Sequence, residues 1–249
     1  MKLSIVVPMH NELENVVPLV REIETACADI PDKELILVDD GSKDGTYAAI
    51  QTLQAEIPWL RLIHHPQAAG QSAAVHSGVL AATGQVICTL DGDMQNPPAE
   101  IPNLYAPFVA ADAPADLGLV AGQRVGRQDT AAKRYASRLA NGLRGWMLND
   151  KTRDTGCGLK AFRRDAFLRL PFFNHMHRYL PALFARDGWA VAHVDVSHRE
   201  RGGGSSKYTN LQRALVGIYD LIGVAWLIRR RKTVPRAAIQ EIPAPEGDA

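Results

Sequence analysis

The sequence predicts an α/β fold with a mainly parallel central sheet flanked by helices. Three observations predict it. Short apolar runs alternate with segments of helical period through the first half of the chain. Two of those runs end in acids, at Asp39-Asp40 and at Asp91-Gly92-Asp93. Strands separated by helices need right-handed crossovers, which make neighbouring strands parallel and gather their carboxyl ends on one edge.

Leu3 to Val7 reads as the first strand, closed by Pro8, with His10-Asn11-Glu12 following. A helix is expected from about Glu14 to Ala28, with Val16, Val17, Leu19, Val20 and Ile23 as its buried stripe. Glu34 to Val38 is the second strand, and Asp44 is placed to cap a helix running to about Glu56. Leu60 to His64 is the third strand, Gly70 to Ala82 a helix of small residues, and Val86 to Leu90 the fourth strand. Later, Leu117 to Ala121 is an apolar run, Asp154 to Gly158 a turn before Leu159 to Phe162, and Ala190 to Val196 a further strand.

The 249 residues suffice for one large α/β domain or two small ones, and 46% apolar content is ordinary for a folded protein. A net charge of +1 provides no global field for nucleic acid or membrane, so no nucleic-acid partner is expected. Cys27, Cys88 and Cys157 have no paired spacing, which suggests a reducing compartment and carries no zinc signature. Met1-Lys2-Leu3 runs straight into a strand, leaving no stretch for a signal peptide. Neither G-x-G-x-x-G after the first strand nor G-x-x-x-x-G-K-[ST] occurs, which argues against a dinucleotide site and a P-loop.

Asp91-Gly92-Asp93-Met94-Gln95 carries the sharpest chemistry. Two carboxylates one residue apart repel unless a cation lies between them. Asp93 and Gln95 alternate, so on an extended segment they share a side. Two carboxylates and an amide oxygen make a hard oxygen set suited to Mg²⁺ or Mn²⁺, which completes its shell with phosphates and water. The plainer reading is a polar turn with helix-capping aspartates.

The second half has a different texture. Arg124, Arg127, Lys133, Arg134, Arg138 and Arg144 face a single acid, Asp129, where a solvated helix face normally mixes signs; an anionic partner and a plainly solvated helix both stay open. Lys133 and Ser137 are four apart, neighbours on one helix face. Arg201-Gly202-Gly203-Gly204-Ser205-Ser206-Lys207 is a glycine loop with cations at both ends, suited to closing over phosphate. Residues 209–232 form an apolar helix with a basic end, Arg229-Arg230-Arg231-Lys232. Its apolar part, Ala214 to Ile228, would span about 22 Å, short of the roughly 30 Å hydrocarbon core. Two readings stay open: a helix in the membrane interface, or a core helix with a basic C-terminus. Residues 233–249 read as a disordered tail.

Taken in order, these motifs resemble the GT-A nucleotide-sugar transferases of the dolichol-phosphate mannose synthase type, with their bacterial polyprenyl-phosphate relatives. The motifs are Val7-Pro8-Met9-His10-Asn11-Glu12, Val38-Asp39-Asp40-Gly41-Ser42, Gly70-Gln71-Ser72-Ala73, Asp91 to Pro98, Gly122-Gln123-Arg124, Asp154-Thr155-Gly156, and His198 to Tyr208. The resemblance implies a GT-A, Rossmann-like domain over residues 1–208, with a nucleotide-sugar half (1–115) and an acceptor half (116–208). It implies that Pro8, His10, Glu12, Asp39, Gly70 and Asp91 hold the nucleotide, and that Asp91, Asp93 and Gln95 hold Mg²⁺ or Mn²⁺. Arg124, Lys133 and Ser137 would receive the lipid phosphate, with Arg201 and Lys207 closing over donor and acceptor. His10 stands where the family often has Tyr, and Lys133 where it often has Arg, which removes bidentate phosphate binding there.

The activity so implied is inverting, metal-dependent hexosyl transfer from GDP-mannose or a UDP-sugar to a dolichyl or undecaprenyl phosphate. Its setting would be the cytoplasmic face of the membrane, reached peripherally or through a membrane-anchored partner subunit. An ionised phosphate can attack the sugar without an enzymatic base. A hydroxyl acceptor would need a base, with Asp154 first in line. A non-catalytic nucleotide-sugar scaffold is the third reading; it has no reason to keep Asp91, Asp93 and Gln95 together.

Overall fold

The computed structural model describes residues 1–125, 142, 144–148, 150, 152–199 and 210–232. Seven strands there form one sheet: β1 Leu3–Met9, β2 Lys33–Asp40, β3 Leu60–His65, β4 Val86–Thr89, β5 Leu117–Arg124, β6 Lys160–Arg163 and β7 Ala190–Val196. Their order is β3-β2-β1-β4-β6-β5-β7. All neighbours are parallel except β6, which runs antiparallel to both β4 and β5. The α/β, mainly parallel expectation therefore holds.

Six helices are numbered here: α1 Leu13–Ala26, α2 Thr46–Glu56, α3 Gln71–Ala81, α4 Ile101–Val109, α5 Leu180–Arg186 and α6 Asn210–Arg230. One layer packs α1, α2 and α4 on the sheet through Val16, Leu19, Ile23, Ile50, Leu53 and Leu104. The other packs α3, α5 and α6 through Ala74, Val79, Leu183, Phe184 and Val224. Burying each such aliphatic or aromatic side chain stabilises the fold by about 1.5–3 kcal/mol. Of the expected α1 stripe, Val16, Leu19, Val20 and Ile23 are buried, but Val17 is exposed.

Several boundaries differ from expectation for tertiary reasons. β1 runs through Pro8 to Met9. Its pairing with β4 stops at Val6, so the missing proline N–H falls where that neighbour has ended. β2 continues to Asp40 because β3 extends alongside it and pairs Asp39 with His64 and Asp40 with His65. Helices α4 and α5 have no counterpart in the sequence reading. Pro102 and Pro107 interrupt the pattern of the first, and the second is only 7 residues long.

Helix α6 packs one side against the domain and leaves the other exposed. Leu221, Val224 and Ala225 are buried against the domain, while Ile218, Tyr219, Ile222 and Trp226 are exposed. Arg186 Nε donates to Leu227 O at 3.1 Å, Tyr179 Oη donates to Gly217 O at 3.2 Å, and His175 Nδ1 meets Asp220 Oδ2 at 2.9 Å. Arg231 reaches Asp187 at 3.4 Å, so one of the four terminal cations serves the fold. Among the described residues, no helix is long and apolar enough to cross a membrane. The 233–249 stretch lies outside them.

Candidate active site

The carboxyl ends of β1, β2 and β4 surround a cleft of about 260 Å³ lined by Pro8, His10, Glu12, Asp40, Gln71, Asp91 and Asp93, among others. Four of the residues expected at the nucleotide, Pro8, His10, Glu12 and Asp91, thus line one cavity. His10 Nδ1 bonds the Asp40 carbonyl at 2.7 Å, which puts the proton on Nδ1 and lets Nε2 accept from Asn11 Nδ2 at 3.2 Å. Glu12 Oε2 accepts from Asn15 Nδ2 at 2.6 Å.

Asp39 is fully buried rather than cleft-lining; one oxygen meets His64 Nδ1 at 2.8 Å and Oδ1 has no partner among the described residues. The acid at the cleft is its neighbour, Asp40. Its carboxylate accepts from His65 Nδ1 at 2.7 Å and from the Ala69 and Gly70 N–H groups, both at 2.8 Å. Burial pushes its pKa up, but those three donors outweigh it and hold the group below its usual range. Gly70 needs its lack of a Cβ to take φ +91° at this anchored turn into α3. Asp40 and Gln71 were not singled out from the sequence; the acid-ended strand beside the Gly70 motif was the available signal.

Asp91 and Asp93 behave differently. Asp91 Oδ1 accepts from Gln71 Nε2 at 2.7 Å and Oδ2 from Asn96 Nδ2 at 3.0 Å. On its other side a Cβ at Gly158 would come within 2.3 Å of the carboxylate, so backbone packs directly against it. Burial, then the Asp93 charge, push the Asp91 pKa up. Asp93 Oδ1 accepts the Gln95 N–H at 3.2 Å, and Met94 has φ +63°. This segment is therefore a tight turn, which corrects the expectation that Asp93 and Gln95 share one side of an extended strand. The turn is fixed further by the Gln95 carbonyl, which accepts from Arg199 N–H at 3.0 Å.

The residues fit a hard divalent cation. The Asp93 charge raises the proton affinity of Asp91, so the pair gains from a shared cation, and Asn96 Oδ1 in the same loop is buried with no partner among the described residues. No cluster of three or more His, Cys, Asp or Glu ligands occurs among the described residues. An Mg²⁺-type ion in a phosphate-handling site needs only one or two carboxylates, since phosphates and water complete its shell.

Gly122-Gln123-Arg124 also has a structural logic. Gln123 Oε1 accepts from the Arg153 and Asp154 N–H groups at 2.9 and 3.0 Å, bringing that segment to the end of β5. Arg124 then grips Asp154 at two points, 2.5 and 2.8 Å. That bond to Asp154 raises the Arg124 pKa. Asp154 also accepts the Gly156 N–H at 3.1 Å, so both of its oxygens carry hydrogen bonds. Lys133, Ser137, Arg201 and Lys207 lie outside the described residues. Of the segment before the glycine loop, Ser197 bonds Glu100, and Arg199 bonds Glu22 as well as the Asp93 turn.

A sheet of this order, with paired carboxylates after β4 at a cleft above β1 and β2, defines a glycosyltransferase of the GT-A class. The chain belongs to glycosyl transferase family 2, whose profile matches residues 4–170. It is 36% identical over 234 residues to the dodecaprenyl-phosphate galacturonate synthase of Rhizobium johnstonii, covering 92% of this chain and 68% of that protein. It is 35% identical over 224 residues to the undecaprenyl-phosphate 4-deoxy-4-formamido-L-arabinose transferase of Sodalis glossinidius, covering 89% and 67%. The chain thus spans about two thirds of the length of these relatives. Among solved structures, the mannosyltransferase PcManGT from Pyrobaculum calidifontis with GDP-Man and Mn²⁺ matches with a TM-score of 0.67 at 18% identity, over 94% of this chain and 66% of that one. Glucosyl-3-phosphoglycerate synthase from Mycobacterium tuberculosis, with Mn²⁺, UDP-glucose and phosphoglyceric acid, gives 0.65 at 20% identity, over 91% and 79%. These likenesses establish the shared fold.

Proposed function

We propose that this protein transfers a sugar from a nucleotide sugar to a polyprenyl phosphate with inversion at the anomeric carbon. The observation that carries this reading is the cleft itself. It presents two acids suited to a cation-bound diphosphate, and the nearby cation Arg124 is oriented by the only base candidate the sequence offered. A phosphate acceptor ionised at neutral pH needs no protein base, and Asp154, held by Arg124, is engaged elsewhere. The similarity to two polyprenyl-phosphate transferases along most of the chain supports the same acceptor class.

In this reading Pro8, His10 and Glu12 flank the nucleotide, with Asp40 as the acid at the cleft beside them. Asp91, Asp93 and Gln95 would hold Mg²⁺ or Mn²⁺, which would supply charge stabilisation for the departing nucleoside diphosphate. Gln71 and Asn96 fix the Asp91 carboxylate before substrate arrives, so little reorganisation is needed during reaction. Arg124, aligned by Asp154, receives the acceptor phosphate, with Lys133 and Ser137 beside it and Arg201 and Lys207 closing from the glycine loop. The phosphate oxygen attacks C1 as the C1–O bond to the diphosphate breaks, and the negative charge passes to the leaving group.

The acceptor's hydrocarbon stays in the bilayer, since each CH₂ moved to water costs about 0.8 kcal/mol. The protein therefore comes to a membrane surface on its cytoplasmic side. The exposed Ile218, Ile222 and Trp226 face of α6, ending in Arg229 and Arg230, suits the interface between headgroups and acyl chains. The deciding assay is transfer from a panel of UDP- and GDP-sugars, with and without undecaprenyl phosphate. Lipid-linked sugar supports the reading. Turnover only onto soluble hydroxyl acceptors overturns it.

A further inference from the structure

Resting on the transferase reading, we propose that His177 is a positioning residue for Asp91, acting through Ser72 and Gln71, and that its segment takes its own setting from α6 through His175 and Asp220. Three polar contacts join the two ends. Asp220 Oδ2 meets His175 Nδ1 at 2.9 Å, His177 Nδ1 lies 2.7 Å from Ser72 Oγ, and Gln71 Nε2 donates to Asp91 Oδ1 at 2.7 Å. Chain neighbours close the gaps between them, since His175 and His177 flank Met176, and Gln71 precedes Ser72.

His175 opens a single 3₁₀ turn, Met176–Arg178, and does so with φ +66°, in the left-handed region that a side chain disfavours. Such a residue persists where its surroundings hold it. Here its N–H donates to Asn174 Oδ1 at 2.9 Å, and its ring is held by Asp220. At the exit of the turn, Tyr179 Oη donates to Gly217 O at 3.2 Å. Gly217 and Asp220 are three apart and so share one side of α6. Both interrupt its apolar stretch, and Asp220 is the only acid in the helix. Met176 and Leu180 already supply apolar burial with Leu221 and Val224, so the polar contacts add direction to that packing.

Ser72 grips His177 by both backbone and ring: its Oγ accepts the His177 N–H at 3.5 Å and lies 2.7 Å from Nδ1. Burial pushes the ring down to about 3, so it is neutral and the contact does not titrate at working pH. Ser72 stands in the first turn of α3, directly after Gln71 at its first position. The body of α3 is fixed elsewhere, where a Cβ at Gly78 would collide with the Val6 side chain of β1. Its first turn is held from two sides, by Asp40 through the Gly70 N–H and by His177 through Ser72. Releasing Ser72 removes the second hold and lets the Gln71 amide drift from the carboxylate it orients.

The test reads two quantities: affinity for UDP and GDP with Mn²⁺ by calorimetry, and kcat with undecaprenyl phosphate. Ser72→Ala and His177→Leu should each weaken nucleotide binding and lower kcat about fivefold, leaving the acceptor KM unchanged; residues acting through a packed network typically shift coupling by about twofold to thirtyfold. Ser72→Thr, which keeps the hydroxyl, should restore the parent values. Asp220→Leu should act in the same direction, and Asp220→Asn, which keeps an acceptor for His175, should restore them. In a Gln71→Ala background none of these changes should cost anything further, because the group they act through is gone. If His177→Leu does not fold, Ser72→Ala decides. Losses of equal size in both backgrounds mark a purely structural role and overturn the proposal. Parent-like values for Ser72→Ala overturn it too and leave the transferase reading standing. Asp220→Leu matching the parent overturns the link to α6. No transfer by the parent from any donor overturns both readings.

Discussion

Arg124 and Asp154 form one two-point unit, Nε to Oδ2 at 2.5 Å and Nη2 to Oδ1 at 2.8 Å, with both side chains mostly buried. The sequence suggested separate roles, a phosphate grip and a base. Planar guanidinium against carboxylate fixes the plane and direction of Arg124 at the end of β5. We propose that Asp154 is a positioning residue, acting through Arg124.

A double-mutant cycle tests this. Arg124→Ala should raise the acceptor KM, with a cost of about 2 kcal/mol or more for a charged partner of phosphate, and leave nucleotide affinity unchanged. Asp154→Ala should lose a similar amount, and the double variant little more than either, giving a coupling of about 1–3 kcal/mol. If Asp154→Ala abolishes turnover while Arg124→Ala is mild, Asp154 is a base after all.

Asp93→Ala should abolish transfer and leave the melting temperature nearly unchanged, because Asp93 lines the cleft and, among the described residues, bonds only its own turn. Near-normal turnover of the folded variant in Mg²⁺ or Mn²⁺ would remove the cation assignment.

Gly158→Ala places a methyl group against the Asp91 carboxylate, at 2.3 Å unless something shifts. The carboxylate is the group that must move, because Gly158 lies on backbone leading into β6. A displacement of about 1 Å at a reacting centre costs on the order of 10²-fold in rate. Loss of kcat with an intact circular dichroism spectrum is expected; unaltered kcat would show that Asp91 needs no such precision.

Glu34 governs the acid limb of stability. Burial raises its pKa, but bonds from Ser4, Thr83 and Arg61 outweigh that and hold it at about 2. Its folded value lies below its unfolded value of about 4.3, so the stabilisation is present above that pH and lost as pH falls toward 2. The shift corresponds to roughly 3 kcal/mol. Urea unfolding of Glu34→Gln should show a flatter pH dependence between pH 4.5 and 2 than the parent. Parallel curves would refute the assignment.

Membrane binding by α6 should combine apolar contact with charge. Changing Arg229, Arg230 and Lys232 to Gln should weaken flotation with anionic vesicles, each charge contributing roughly 1 kcal/mol at low salt. Trp226→Ser should weaken it at every salt concentration. Arg231 is left alone because it reaches Asp187. No flotation of the parent at low salt would favour a membrane-anchored partner subunit.

Much of the fold was legible because local patterns carried it. The strands Leu3, Glu34, Leu60, Val86 and Ala190 begin within a residue of where apolar runs placed them. The N-cap of α2 is Gly45 rather than the expected Asp44, whose carboxylate instead accepts from Thr46 N–H at 3.1 Å and from Leu13 N–H at 3.2 Å across the loop. Helices α4 and α5 were not legible, since prolines and brevity erase the period from which helices are read.

The sequence by itself determined the alternation of strands and helices, the acids at the strand ends and the unbalanced basic segment. Each of these is written in neighbouring residues. Only the tertiary structure decided which acid lines the cleft, that Asp154 orients Arg124, and that β6 inserts antiparallel between β4 and β5. It alone brought Gln71, Asn96, Gly158 and Lys160 around Asp91, and His177 against Ser72, 105 positions away. Periodicity reports which side of an element is buried, but the partner buried against it is chosen by sheet order and crossover, where sequence separation carries no information.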